Sequence, residues 1–418
     1  MHSTNWKDKI GIVAGNQLLL EGCVFVRNII IARFIGAESL GEFIFMVLAI
    51  RLFAMSTDLA ADRYMLQVNK KQLSAALACS HFIAQVRGLG ISAMLLLMGL
   101  HNIHDISFVS YALLAGSALL RGFTHQGYRL KQRSLNFRPA LFVEGFTALA
   151  GTFAIFVVVS AAPCIEAVCA CMLAQAGVHT AMSHILSDEK YSAVANWNIL
   201  KAILEYGFPI LLTGIAMFWS MQGERVILSA MMPPANFAHF SMLFQLALVP
   251  ALVLGRVALT VGLPVLAAQK DDWETFSKSL SGFHTIAYVV IAFFAFFYVV
   301  LANTALTTLF GADFKAEITT IFLVGLAQSI RLCRTPQSVA AQALGQTDIP
   351  FKANLFRVMA ALLGAFLVSL GASLITLLVI ACIGEGVAWA AQGALFSIRN
   401  RTNTSTPEQL ATLQEATQ

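Results

Sequence analysis

Long apolar runs separated by short polar stretches dominate the chain. A bilayer core about 30 Å thick needs about 20 apolar residues per helix, and runs of that length recur twelve times. The segments predicted to span the membrane as helices are 10–33, 40–62, 74–100, 106–128, 139–160, 163–186, 202–231, 237–267, 276–301, 317–344, 351–370 and 373–397. Segments seven, eight and ten are the longest and contain interior prolines, so we expect them to tilt or bend.

Composition supports this interpretation and excludes several classes of protein. Of the 418 residues, 58% are apolar and only 12% are charged, and the mean hydropathy is +0.74. Soluble domains carry about 25% charged residues, so a cytosolic enzyme and a disordered scaffold are both excluded. The net charge of +5 comes from dispersed residues, which argues against nucleic acid as a partner. The seven cysteines lie in apolar segments without the spacing of a metal site. The sequence predicts an all-α polytopic membrane protein without a cofactor.

Lysine and arginine in the loops and at the ends of the predicted spans fall almost entirely on one side of the membrane. Sixteen lie on the side that holds both termini, and only Arg33 and Lys315 lie on the other. By the positive-inside rule both termini are cytoplasmic and the number of spans is even. The first segment is too long, and too interrupted by polar residues, for a cleaved signal peptide.

The most polar internal stretch, 187–198, divides the predicted spans into six and six. We therefore predict an N-terminal six-helix bundle at 1–186, a cytoplasmic linker at 187–198, a C-terminal six-helix bundle at 199–400 and a cytoplasmic tail at 401–418. Because each half has an even number of spans, both halves have the same orientation in the membrane, and any internal repeat would be related by an axis along the membrane normal.

Nine arginines lie inside the predicted spans, and no lysine lies deep within one. They are Arg27, Arg51, Arg87, Arg121, Arg225, Arg256, Arg331, Arg334 and Arg357. Each costs about 2.5–3.5 kcal/mol at a helix centre, so most must face a hydrated cavity or a carboxylate. Two interpretations stay open: a buried ion-pair network that fixes helix packing, and a cationic cavity that binds an anion through arginine.

Carboxylates near these arginines are candidates for ion coupling. Arg51, Asp58 and Asp62 have the spacing of one helix face, and Glu21 lies on a polar stripe of segment one. The chain has no phosphate-binding loop for ATP. We therefore expect a proton or sodium gradient to drive the cycle through Glu21, Asp58 or Asp62.

Four stretches together resemble the polysaccharide flippases, of the O-antigen transporter type, in the multidrug/oligosaccharidyl-lipid/polysaccharide exporter superfamily. They occur in the expected order along most of the chain. The stretches are Ala32–Gly36 with Leu40–Phe43, Glu205–Pro209 continuing through Glu224–Leu228 to Val261–Pro264, Leu309–Phe314, and Gln342–Thr347.

The resemblance implies two six-helix bundles in a V around a central cavity. It also implies alternating access that moves an undecaprenyl-pyrophosphate-linked oligosaccharide from the cytoplasmic to the outer leaflet of the bacterial inner membrane. A polysaccharide polymerase and chain-length proteins are the partners that it suggests. The predicted cargo-binding residues are the arginines on presumed cavity helices and two further mid-span arginines: Arg27, Arg51, Arg225, Arg256, Arg331 and Arg334.

Two other functions compete with this one. A cation-coupled multidrug antiporter of the same superfamily is the alternative, but such exporters favour cationic drugs and would need an acidic cavity. A membrane-embedded sugar polymerase or ligase would usually carry a larger external loop with catalytic residues, and no predicted loop is long enough.

Overall fold

The computed structural model describes residues 6–134 and 136–400, with side chains described from Gly15 onward. All regular structure in this part of the chain is helical. The helices are α1 (Trp6–Phe34), α2 (Ala37–Ser56), α3 (Ala61–Gln67), α4 (Leu73–Leu100), α5 (Phe108–Gly122), α6 (Gly127–Leu130), α7 (Arg138–Ala161), α8 (Ile165–Ile185), α9 (Trp197–Met231), α10 (Pro234–Ala267), α11 (Trp273–Phe310), α12 (Ile318–Cys333), α13 (Thr335–Ala343), α14 (Asp348–Ser369) and α15 (Leu374–Arg399).

Each of the twelve predicted segments contains a helix, which confirms the all-α fold class. Within the described ranges, nine helices are long and apolar enough to cross a membrane. The segment-four helix, α5, has only 15 residues, and segment ten is divided into α12 and α13. The number of twelve spans therefore stays a prediction, as does the placement of the termini, since 1–5 and 401–418 lie outside the described residues.

The helix breaks follow local chemistry. Arg334 alone separates α12 from α13, and Pro336 occupies the first turn of α13. A proline is tolerated there because the first N–H groups of a helix have no partner within the helix. Pro209 lies inside α9. The longest helix is α11, with 38 residues; the prediction that segments seven, eight and ten would be longest is wrong for this element.

The chain folds into two compact units. The first comprises the residues up to Ile215 with 231–238 and 309–311, and the second comprises the remainder. The predicted linker at 187–198 falls inside the first unit.

In the first unit, α5 packs between α4 and α8, and α7 packs on both α1 and α8. Glycines bring α4 and α5 together: a Cβ atom on Gly88 would lie 2.8 Å from the Cα atom of Gly122. Small residues at such crossings let helix backbones approach closely in a membrane. In the second unit, α15 packs on both α12 and α14.

Candidate functional site

A cavity of about 640 Å³ lies within the first unit. Its walls come from α1, α2, α4, α5, α7 and α8, with α6 and the turn before it at one end. The size is within the range of about 300–1,000 Å³ that is typical of small-molecule sites. The ionisable residues that line it are mostly arginines: Arg27, Arg51, Arg87, Arg121, Arg129, Glu144 and His179, besides Cys23 and Tyr128.

The cavity is strongly cationic. Five guanidinium groups face one carboxylate, that of Glu144, so the lining carries a formal charge of +4 with His179 neutral. Walls of one charge sign and low dielectric focus the electric field and concentrate counter-ions. The arrangement therefore favours an anionic ligand and disfavours a cationic one.

Two of the five arginines are held by carboxylates next to the cavity. Arg129 contacts Asp62 at 2.6 Å and Glu144 at 3.0 Å. Arg87 lies 3.8 Å from Asp58 and donates a hydrogen bond to Thr57 Oγ1 at 3.2 Å. Burial by itself lowers the pKa of Arg129, but Tyr128, Glu144 and Asp62 together raise that pKa above its ordinary value. These contacts fix the positions of both guanidinium groups.

The other three arginines have no ion pair among the described residues. Arg27 is buried and donates to Met172 Sδ at 3.3 Å, and its guanidinium carbon lies 5.1 Å from the ring centre of Phe43. Arg51 and Arg121 have exposed side chains and line the cavity. Glu144 interacts electrostatically with Arg121, but none of the three guanidinium groups is held in an ion pair, so they are the groups most available to an anion.

Uncharged polar groups complete the lining. Hydroxyl and amide side chains occur on α5, α7 and α8 and in the turn before α6: Ser117, Thr124, Gln126, Thr147, Thr152 and Gln175. Gly151 leaves room for Gln175, because a Cβ atom at Gly151 would lie 2.5 Å from the Gln175 amide. Neutral hydrogen-bonding groups beside cationic ones suit a ligand with both anionic and hydroxyl-rich parts.

The structure corrects the predicted relationship between Arg51 and Asp58. Helix α2 ends at Ser56, and the backbone turns at Ala60, which has a φ of 49°. The i, i+7 spacing therefore does not place Arg51 and Asp58 on one helix face, and Asp58 pairs with Arg87 instead. Asp62, at the start of α3, pairs with Arg129 rather than sharing a face with Arg51.

Among the other predicted site residues, Glu21 accepts a hydrogen bond from Gln17 at 3.1 Å. Arg225 is buried and donates to Gln222 at 3.0 Å. Arg256 has an exposed side chain on α10. Their roles toward a cargo stay predictions.

In the second unit, Arg331 and Arg334 converge on one buried carboxylate. Glu385 accepts from Arg331 at 2.8 Å and lies 3.4 Å from Arg334. Arg357 joins them at 2.7 Å. This cluster has the form of the buried ion-pair network that the sequence left open for the arginines within spans.

Sequence reasoning did not single out Arg87 and Arg121 as site residues, and it assigned Arg129 to a cytoplasmic loop. A signal for the first two was present: each immediately precedes one of the glycines, Gly88 and Gly122, that bring α4 and α5 together. No comparable signal marked Arg129, whose position depends on contacts with distant carboxylates.

Comparison with known proteins places the chain among membrane proteins of polysaccharide synthesis. A family model described as "Polysaccharide biosynthesis protein" matches residues 30–319. Among curated proteins, no sequence match is found.

Solved structures share the fold at low sequence identity. A multidrug resistance MATE family transporter of the MOP superfamily, in an inward-facing conformation, is 14% identical with a TM-score of 0.69, covering 93% of this chain and 96% of the transporter. The lipid II flippase MurJ, in an inward closed conformation, is 15% identical with a TM-score of 0.71, covering 92% and 87%. A MOP superfamily transporter from Pyrococcus furiosus, described as having a binding pocket of reverse polarity, is 16% identical with a TM-score of 0.59, covering 95% and 97%.

Proposed function

Because the chain belongs to the polysaccharide biosynthesis protein family, we propose that it is a flippase for undecaprenyl-pyrophosphate-linked oligosaccharide. The cargo moves from the cytoplasmic to the outer leaflet by alternating access. The observation that carries the proposal is the cavity in the first unit, where five arginines face one carboxylate. The activity is transport, without a covalent step.

The cavity chemistry matches the two parts of such a cargo. Moving a pyrophosphate through hydrocarbon is strongly unfavourable unless charged partners replace its water. Arginine binds phosphate oxygens in pairs and keeps its charge at all relevant pH values. Arg27, Arg51 and Arg121 supply such groups without a competing ion pair among the described residues, while Gln175 and the neighbouring hydroxyls supply hydrogen bonds for sugar.

A cation-coupled multidrug antiporter is the second candidate, and its support is the shared fold with the MATE family transporter. The charge of the cavity argues against it, since the five arginines still outnumber Glu144, Asp58 and Asp62 by two positive charges, and such a site repels a cationic drug. The two functions therefore predict opposite ligand charge.

Ion coupling through Asp58 or Asp62 is part of the proposal. Each carboxylate holds a cavity arginine, Arg87 or Arg129. Neutralising Asp58 with a proton releases Arg87 from its ion pair, and losing the proton restores the pair and promotes release of the cargo. Neutralising Asp62 only weakens the hold on Arg129, because Glu144 still contacts that guanidinium at 3.0 Å. Glu21 is the third candidate, and sodium is the alternative ion.

We place the site of action in the bacterial inner membrane, with both termini cytoplasmic. A polysaccharide polymerase and chain-length proteins are the proposed partners.

The test is flipping in proteoliposomes. The probe is a fluorescent short-chain isoprenyl diphosphate oligosaccharide, and the comparison probe is the same lipid with one phosphate. We expect the protein to accelerate flipping of the diphosphate lipid, and the double variant R51A/R121A to reduce this by more than tenfold. A cationic dye transported in place of both lipids would support the antiporter and overturn the flippase.

A control variant separates loss of charge in the cavity from general damage. Lys201 pairs with Glu205 at 3.9 Å on the exposed face of α9, so K201A removes a positive charge outside the cavity. It should flip the diphosphate lipid at the wild-type rate. An equal loss in K201A and R51A/R121A would contradict a role of the cavity in binding cargo.

A further inference from the structure

The segment from Ser187 to Asn196, between α8 and α9, has no regular secondary structure. Side chains from elsewhere in the first unit hold its backbone at three places. His125 Nε2 lies 2.9 Å from Glu189 O, His81 Nδ1 lies 2.8 Å from Ser192 O, and Cys79 Sγ lies 3.4 Å from Val194 O. These three side chains therefore determine where the backbone of the segment lies.

Both histidines are locked as neutral rings by consecutive backbone amides. The N–H of Gln126 donates to His81 Nε2 at 3.0 Å, and the N–H of Gly127 donates to His125 Nδ1 at 2.9 Å. A backbone amide can only donate, so these two ring nitrogens carry lone pairs. The proton of each ring therefore sits on the other nitrogen, which donates to Ser192 O or Glu189 O.

Protonation is incompatible with this arrangement. An imidazolium has two N–H groups and no acceptor. The added hydrogen would point at the amide hydrogen of Gln126 or Gly127 across about 3 Å. The ring must then rotate or withdraw, and its bond to the 187–196 segment is lost with it.

The groups that face the two rings offer no carboxylate bond to compensate. Tyr191 stacks on His81 with ring centres 4.4 Å apart, and His184 contacts His125 edge-on at 5.2 Å. Glu189 acts electrostatically on His125, and Asp188, in the same segment, pairs with Lys131 at 3.1 Å. Burial lowers the pKa of His125, which lies in the turn after α5, and His184 lowers it further against the opposing effect of Glu189 and its carbonyl.

We propose that His81 and His125 form a pH-sensitive latch, which holds the 187–196 segment to the first unit while both rings are neutral and releases it when they are protonated. The released rings titrate near the ordinary histidine pKa of about 6.5. Below that pH the released state binds more protons than the latched one, so latching weakens as pH falls and is complete above about pH 7.5. The proposal does not depend on which cargo the cavity takes.

Hydrogen–deuterium exchange on the full-length protein in nanodiscs tests the latch. Exchange at the amides of Gln126 and Gly127 reports whether their hydrogen bonds to the two histidine rings are intact. Exchange at the amide of Asn196, which donates to Cys79 Sγ at 3.2 Å, reports whether the 187–196 segment is held. Labelling times are scaled to the intrinsic exchange rate at each pH. From pH 7.5 to 5.5 we expect exchange at these three amides to rise about tenfold to a hundredfold, since each ring contributes up to about tenfold per pH unit.

Two variants decide the cause. In H81Q/H125Q the side-chain amides still donate and accept but do not titrate, so the rise with acid should disappear. In H184Q, which removes a ring whose hydrogen bond goes to Phe123 O at 3.0 Å and not to the 187–196 segment, the rise should persist. The latch is overturned if wild type shows no rise beyond the intrinsic rates, or if H81Q/H125Q retains it. If the double variant does not fold, H81Q and H125Q singly should each remove part of the rise, and a full rise in both would overturn the proposal.

Discussion

The Nε atom of Arg357 lies 2.7 Å from a carboxylate oxygen of Glu385, and the two side chains are only 8% and 4% exposed. Arg331 and Arg334 contact the same carboxylate. One negative charge on α15 is therefore paired with three positive charges, which come from α12, from the residue between α12 and α13, and from α14. Removing one partner of a buried ion pair is far more costly than the net value of the pair, because the remaining charge stays desolvated. Glu385 therefore joins these helices.

The first prediction is that Glu385→Gln destabilises the second unit by about 3–5 kcal/mol. The change removes the one carboxylate that all three buried guanidinium groups contact, and Glu224, which interacts electrostatically with Arg331 and Arg357, compensates only in part. Thermal unfolding in detergent measures the effect. Glu274→Gln is the control, because Glu274 pairs with Lys278 on an exposed surface, and it should leave the midpoint almost unchanged. Equal midpoints for both variants would show that Glu385 does not hold the cluster together.

The second prediction concerns Arg51 in the cavity and Arg256 on α10. Replacing either with alanine should abolish surface polysaccharide in cells while leaving the protein inserted. Arg→Lys at each position should restore only part of it, because lysine lacks the paired donors that fit a pyrophosphate. Immunoblotting of membranes and of the polysaccharide measures both quantities. Full activity of either alanine variant at normal expression would remove that residue from the site.

The third prediction is that Asp58→Asn uncouples transport from a proton gradient. The amide cannot take up a proton, so Arg87 no longer alternates between a carboxylate and the cargo. In proteoliposomes the variant should keep slow downhill flipping and lose acceleration by the gradient. Asp271→Asn, in the exposed turn before α11, should behave as wild type. Insensitivity of wild type to both proton and sodium gradients would contradict the coupling idea whatever the variant does.

The fourth prediction tests the packing of α9 on the segment between α2 and α3. A Cβ atom at Gly207 would overlap the backbone of Leu59, so the two backbones must separate in Gly207→Ala. We expect a loss of at least about 1–3 kcal/mol, as for other overpacked sites. Gly214→Ala is the matched control on the same helix, where the new Cβ atom meets only the flexible end of Met55 at 3.6 Å. It should be neutral or stabilise by up to about 1 kcal/mol. The same change in unfolding midpoint for both would show that Gly207 is not needed for the contact.

The helical membrane fold and the approximate position of every segment follow from the sequence alone. Hydropathy over about 20 residues is a local property, so it locates the helices whatever the rest of the chain does. The effect of proline is less uniform: segment ten divides next to Pro336, whereas Pro209, Pro250 and Pro264 lie inside continuous helices. The sequence also predicted that the arginines within the spans face a cavity or a carboxylate, because the cost of burying such charges applies to any fold.

What each arginine faces depends on the tertiary structure. The end of α2 at Ser56 separates Arg51 from Asp58, and the backbone turn at Ala60 comes before Asp62. A prediction that extends one helix through these residues misses both breaks. Arg129 reaches the cavity because Asp62 and Glu144, from α3 and α7, hold it there. Arg331 contacts Glu385, 54 residues further along the chain. A charge inside a membrane protein must face a carboxylate or a hydrated cavity. Which of the two it faces depends on helices that are distant in sequence, and no local pattern records that choice.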